Sequence, residues 1–216
     1  MLEKMEAFFT ARLDGYDEHM LHMIEGAAEF YPYTASLLPK AGGARVLDLG
    51  CGTGLELEEY FRLNSDARVT GIDLTPAMLR VLKKKFPDRE LTLVCASYFD
   101  TPLGEGEYDA AVSVESLHHF TVEDKLGLYK NLRTALKEGG YFVLTDYFAP
   151  SERAERASFA RFEELKREQN PFNDAPYHWD TPLTVGHETD VLRSAGFSQV
   201  TLMRSWGATS TVVARC

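Results

Sequence analysis

Apolar runs of strand length alternate with longer amphipathic stretches along most of the chain. Seven runs are strand-like: ARVLDLG (44–50), ARVTGID (67–73), LTLVC (91–95), YDAAVSV (108–114), GYFVLTDY (140–147), SQVTLMRS (198–205) and TSTVVAR (209–215). Helical spacing covers 55–63, 76–86 and 122–137. Runs apolar on both faces, each followed by a helix, predict a parallel sheet covered on both sides. The last two runs are separated only by WGA (206–208), which predicts a closing antiparallel hairpin. Helix punctuation agrees. Thr75-Pro76 reads as an N-cap and a proline at the first helical position. TVED (121–124) is a capping-box pattern, and Gly139-Gly140 predicts the stop of that helix. A last helix runs from Thr184 to Gly196. Two segments stand outside the alternation. Residues 1–38 read as one or two aromatic-rich helices, and 151–183 as a charged helix followed by the aromatic loop NPFNDAPYHWDTP.

A chain of 216 residues suits one domain with an elaboration or two. The net charge of −10 repels phosphate backbones, so nucleic acid is not the expected partner. LKKKF (82–86) is the only short basic run. Cys51, Cys95 and Cys216 form no CxxC pair, so neither a zinc site nor a disulfide framework is expected, and a reducing, cytoplasmic setting fits best. The charged start, MLEKMEAFF, does not read as a signal peptide, and no apolar stretch approaches the ~20 residues of a membrane span.

The chemistry concentrates in VLDLGCGTG (46–54), where a strand enters a glycine turn that opens a helix. Such a turn receives the anionic part of a ligand, because glycine lets the backbone approach and the helix N-terminus offers free N–H groups. The spacing is G-x-G-x-G, with Leu55 where a dinucleotide motif needs glycine. Asp48, two residues before Gly50, would also repel a pyrophosphate. A zwitterionic amino-acid head suits the turn better. Asp73 closes the second strand 73 − 54 = 19 residues after Gly54, near the ~20-residue spacing of an acidic residue gripping ribose hydroxyls. A ligand with an amino-acid end and a ribose end describes S-adenosylmethionine.

At this point the sequence resembles the class I S-adenosylmethionine-dependent methyltransferases. VLDLGCGTG is similar to their first motif and GIDLTPAML (71–79) to their second-strand segment; YDAAVSVESLHHF (108–120) and LKEGGYFVLTDY (136–147) resemble their fourth and fifth strands. The likeness runs in order over 40–216. It implies a Rossmann-like, doubly wound, seven-stranded α/β sheet, mostly parallel with a C-terminal antiparallel hairpin and helices on both faces. It implies one methyltransferase domain over 1–216: a helical lid (1–38), a cofactor-binding core (40–149), a helix-loop insertion on the substrate side (150–184), and a final helix and hairpin (185–216). Gly50, Cys51, Gly52 and Gly54 would hold the methionine end of S-adenosylmethionine, with Asp48 nearby. Asp73 would take the ribose, Leu74 and Met78 would flank the adenine, and Glu115 would place backbone acceptors near the amino group. Ala96-Ser97 stands where the family often has an acidic residue at the adenine, so Ser97 is the expected contact.

Methyl transfer is an in-line displacement in which the protein mainly orients the nucleophile and excludes water, so no motif need announce it. His119 is the candidate base or substrate anchor, with His118 beside it. Tyr16, Tyr31 and Tyr33 could cover the sulfonium by cation–π contact or pack as core, and Arg12 could meet the methionine carboxylate or form a surface pair. His178, Trp179 and His187 lie in or after the insertion; His178 and Asp180 lack metal-ligand spacing, and no metal is expected. The C-terminal frame LTVGHETDVLRSAGF…GATSTVVAR, with Phe9 and Arg12, resembles the carboxy-S-adenosylmethionine synthases of transfer-RNA wobble-uridine modification. Val191 stands where an arginine would hold the extra carboxylate, so the ordinary cofactor and a different substrate are expected. The reading is a methyltransferase acting on a small organic acceptor as a monomer or homodimer, without nucleic acid or membrane, and releasing S-adenosylhomocysteine. The alternatives are a wobble-uridine modification enzyme, which needs a basic face across 83–85 and 161–167, and a non-catalytic cofactor-binding module.

Overall fold

The computed structural model describes residues 2–169 and 176–216. In chain order the elements are β1 (Glu3–Lys4), α1 (Met5–Ala11), α2 (Tyr16–Met23), α3 (Ala27–Leu37), β2 (Arg45–Leu49), α4 (Leu55–Leu63), β3 (Arg68–Asp73), α5 (Pro76–Lys85), β4 (Glu90–Cys95) and β5 (Tyr108–Val114). A 3₁₀ turn (Leu117–His119) leads to α6 (Val122–Ala135), β6 (Leu136–Tyr147), α7 (Glu152–Gln169), β7 (Tyr177–His178), α8 (Val185–Ser194), β8 (Gln199–Trp206) and β9 (Thr209–Arg215).

The main sheet has seven strands in the order β4-β3-β2-β5-β6-β9-β8. β4, β3, β2, β5 and β6 run parallel, and β9 pairs antiparallel with both β6 and β8. This is the expected α/β sheet with its closing hairpin. The central strands are apolar on both faces because helices cover both: Leu47 and Leu49 of β2 pack in one core with α6 and α8, while Val46 packs in the other with α3 and α4. A buried hydroxyl chain, Thr34 to Thr145 (2.6 Å) to Thr211 (2.8 Å), ties α3 to β6 and β9. The chain leaves β2 toward β3 and β4, then returns to β5 on the other side. A crevice opens at such a switch point, beyond the carboxyl ends of the strands.

Several local expectations change. Residues 1–38 form three helices, not one or two, preceded by a short strand. That strand, β1, pairs antiparallel with β7, so the N-terminus and the segment after α7 close on each other. Leu2, Phe162 and Leu165 make a small separate core beneath this pair. α6 ends at Ala135 rather than at Gly139-Gly140, because Leu136 already pairs with Tyr108; a bulge then absorbs the glycines before Tyr141 pairs with Ala110. The capping box at Thr121 and Asp124 is present, and Thr184 caps α8 by accepting from His187 N. Residues 170–175 of the aromatic loop lie outside the described residues. No helix among the described residues is long and apolar enough to cross a membrane.

Candidate active site

The crevice is a cavity of about 370 Å³. Its floor is the turn after β2. Gly50 has φ +76°, and a Cβ there would lie 2.1 Å from Ser116 Oγ, so only glycine fits. Gly54, also left-handed, caps α4, and a Cβ there would press on Leu82 at 3.2 Å. Gly52 lines the cavity and donates its N–H to Asp73 Oδ2 (2.9 Å). Asp73 Oδ1 accepts from Thr75 N (2.7 Å), so one carboxylate joins the two loops that follow β2 and β3.

Of the residues singled out from sequence, Gly50, Gly52, Asp73, Leu74, Met78, Ser97, Glu115, Tyr16 and His119 line this cavity. Asp48, Cys51, Gly54 and Arg12 do not. Cys51 is buried against the sheet, where its Sγ fills the space beside Gly71. Arg12 points outward, stacked on Phe8 at 3.6 Å and paired with Glu3 (3.3 Å). Tyr31 and Tyr33 belong to the core near Trp206, so only Tyr16 of the three tyrosines reaches the cavity. His187 is occupied elsewhere, bridging α8 to α7 through Glu155 (2.6 Å). Asp100, three residues after Ser97, also lines the cavity.

Asp48 is fully buried beneath the turn, and Glu56 of α4 lies beside it. Neither Asp48 oxygen nor Glu56 Oε1 meets a donor among the described residues. Burial, then mutual repulsion, raises Asp48 well above the usual carboxylate range, and burial lifts Glu56 to about 7. Glu115, at φ +49°, follows β5 in a conformation rare for a side-chain-bearing residue; burial lifts its carboxyl to about 7, and its Oε1 accepts from Thr209 (2.8 Å).

Two histidines leave β5 with opposite characters. Burial alone would pull His118 down, but Asp146 sits 2.5 Å from its Nδ1 and holds it up at about 9. Asp146 in turn is lowered by that imidazolium against its own burial. His119 is pulled down to about 4, by burial first and by the His118 cation second. Its Nδ1 faces Asp180 Oδ1 (3.2 Å) and Trp179 O (3.3 Å). With Asp180 held ionised at about 2, Nδ1–H donates, and Nε2 is left without a hydrogen-bond partner among the described residues. The same His118, His119 and Asp180 bring possible metal-ligand atoms within 4.8 Å of one another.

The His118–Asp146 pair has a pH signature. His118 moves from 6.5 to about 9, so its contribution to stability is complete below 6.5 and lost as pH rises through 9. Asp146 is depressed from 3.8, so its share is present above 3.8 and lost as pH falls through its lowered folded value. An NMR titration is expected to show one histidine titrating near pH 9 and another near 4, and Asp146→Asn is expected to return the first toward 6.5.

The outer half of the cavity is walled by Met5 and Phe9 of α1, Phe99, Phe120, Phe162 and Tyr177. Residues 47–144, from the strand before the glycine turn through the two histidines to the fifth parallel strand, match the methyltransferase domain family. This segment is a methyltransferase domain of the class I S-adenosylmethionine-dependent type. Its cofactor is S-adenosylmethionine. The site's own features fit that group: a glycine floor open at Gly52, a carboxylate at the end of β3, and buried acid oxygens with no protein donor.

The chain is 27% identical to the O-methyltransferase cnsE of Penicillium expansum over 168 residues, which is 76% of this chain and 55% of that protein. It is 32% identical over 128 residues to an uncharacterized methyltransferase of Synechocystis, covering 59% of this chain and 58% of the other. The chain thus spans about half the length of these curated relatives. The solved S-adenosylmethionine-dependent methyltransferase of Mesorhizobium loti shares the fold, with a TM-score of 0.63 at 23% identity over 86% of this chain and 96% of that one.

Proposed function

We propose that this methyltransferase transfers the methyl group of S-adenosylmethionine to a hydroxyl of a small, largely apolar acceptor. Bound in the cavity, the cofactor supplies an electrophilic methyl on a sulfonium. Gly50 and Gly52 hold its methionine end, Asp73 its ribose, and Leu74 and Met78 its adenine. The lid residues Phe9 and Tyr16 exclude water from the reacting centre.

The observation that carries the hydroxyl reading is His119. It lies in the cavity wall, is neutral throughout the physiological range, and is oriented through Nδ1 by Asp180. Nε2 is therefore the nitrogen able to take the acceptor's proton. A hydroxyl becomes strongly acidic as its oxygen bonds to carbon, so a base held near 4 suffices, and it passes the proton on to water readily. The phenylalanines of the outer wall and the O-methyltransferase named among the relatives support an apolar hydroxyl acceptor.

A wobble-uridine substrate needs a basic face, and three of the six basic residues over 83–85 and 161–167 are paired with acids. Lys85 pairs with Asp17, Arg161 with Glu164 and Glu168, and Lys166 with Glu163. A panel of phenols and alcohols, followed by release of S-adenosylhomocysteine, tests the proposal. His119→Ala is expected to slow turnover of the active acceptor by roughly 100-fold or more, with cofactor affinity nearly intact. Unaltered turnover would remove His119 from the chemistry.

A further inference from the structure

Three side chains able to ligate a metal converge where β5 ends. His118 and His119 lie in the 3₁₀ turn, and the loop after β7 brings Asp180 back to them although the chain carries the three at no metal-binding spacing. Asp180 Oδ1 lies 3.7 Å from His118 Nε2 and 3.2 Å from His119 Nδ1, and one ligand atom from each residue lies within 4.8 Å of the other two. Ligands about 2.0–2.1 Å from a tetrahedral zinc ion stand about 3.3 Å apart, so two of the three edges are near the length a bound ion needs. His118 is also supported from behind. Buried Asp146 sits 2.5 Å from its Nδ1, which leaves Nε2 turned toward Asp180. Asp146 is itself fixed by the N–H groups of Leu117 (2.9 Å) and Tyr147 (2.9 Å). A carboxylate behind a histidine orients a metal ligand and raises its basicity. Thr181 N donates to His118 O (2.7 Å), so the loop carrying Asp180 is tied to the histidine turn. Asp180 is half exposed, which leaves a fourth position to water.

We propose that His118 Nε2, His119 Nδ1 and Asp180 Oδ1 form a site for a late first-row divalent metal ion, zinc above all, and that filling it switches methyl transfer off. Two imidazoles and one carboxylate suit such an ion, whereas magnesium and calcium require oxygen ligands. The switch follows from the imidazole's tautomers and rests on the reading of His119 as the base. Transfer needs Nδ1–H facing Asp180 and a free lone pair on Nε2. Zinc takes the Nδ1 lone pair, so the one proton of the neutral ring sits on Nε2, and that ring can no longer accept the acceptor's proton. The Nε2 proton of His118 passes to water as the ion takes its place. Removing the ion restores the base.

Titration of the metal-free full chain with Co²⁺, followed by absorption, and of its turnover with Zn²⁺ tests this. Cobalt is expected to give the intense visible bands of a four-coordinate site at one ion per chain, without a thiolate charge-transfer band. Saturating zinc is expected to slow turnover by roughly 100-fold or more, as loss of the base would, and a chelator to restore it. Asp146→Asn, with folding checked by circular dichroism, is expected to weaken cobalt binding roughly 10- to 100-fold. Asp180→Ala, which changes a half-exposed side chain, is expected to weaken it at least as much, and zinc then inhibits only at correspondingly higher concentration. Absence of cobalt binding, a thiolate band placing the ion on Cys95 or Cys216, or unchanged affinity in Asp180→Ala would overturn the inference. A filled site with unaltered turnover would overturn the switch. Failure of the base reading shows separately, as normal turnover of His119→Ala in the absence of metal.

Discussion

Asp73→Ala is expected to bind S-adenosylmethionine roughly 10- to 100-fold more weakly than the wild type in calorimetry. The carboxylate accepts the N–H groups of Gly52 (2.9 Å) and Thr75 (2.7 Å). In the proposed complex its remaining lone pairs take the ribose. Hydrogen bonds to a charged group contribute about 1.5–3 kcal/mol, and a factor of ten corresponds to about 1.4 kcal/mol. Alanine removes the ribose acceptor and also frees the Gly52 amide, so the glycine floor loses its tie to β3. Asp73→Asn separates the tasks. An amide oxygen keeps one of the two backbone bonds, and part of the affinity returns. An Asp73→Ala variant with wild-type affinity would show that the ribose lies elsewhere.

The largest stability effect is expected at a pair outside the cavity lining. Lys125 of α6 and Glu188 of α8 form an ion pair at 2.6 Å with side-chain exposures of 2% and 1%, and the Tyr129 hydroxyl donates to the same carboxylate at 2.5 Å. Among the described residues this is the most deeply buried lysine–carboxylate pair. Removing one member strands a charge in the core between two helices, which costs about 3–5 kcal/mol. Lys125→Met therefore lowers the melting temperature by roughly 6–20 °C, at about 2–4 °C per kcal/mol for a chain of this size. The double variant Lys125→Met/Glu188→Gln keeps an acceptor for Tyr129 and leaves no charge behind. It is expected to recover most of the loss. Equal melting of Lys125→Met and the wild type would mean that the pair contributes nothing.

The two sites differ in how far the sequence announces them. The glycine turn, Asp73 and the alternation of strands with helices follow from local signals: a strand's apolar run, a turn that needs left-handed residues, and a carboxylate at a fixed distance along one βαβ unit. These survive folding because neighbours in sequence stay neighbours in space. The Asp180–His119 contact does not, since it joins residues 61 positions apart through a loop whose path no periodicity sets. β1 and β7 are two residues each and carry no alternation to read. Asp48 illustrates a subtler limit. Its place before the turn is evident from sequence, but its neighbour Glu56 sits on the helix beyond the turn, and only the packing reveals that the two acids face each other. Arg12 is the converse case. Its position in the lid puts it near the methionine end, yet Glu3 and the Phe8 ring turn it outward. The polar contact to α8 through Lys125 is likewise hidden, because a lysine on a helix reads as a solvated one until its partner is in place.

The central claim is that this cavity holds S-adenosylmethionine by its sugar and its amino-acid end. A crystal structure of the protein grown with that compound tests it most directly. The account predicts the cofactor in the crevice beyond β2 and β3, its ribose hydroxyls within hydrogen-bonding distance of Asp73 and its methionine portion over Gly50 and Gly52. An empty crevice at saturating cofactor, or a cofactor bound with its ribose away from Asp73, would contradict it.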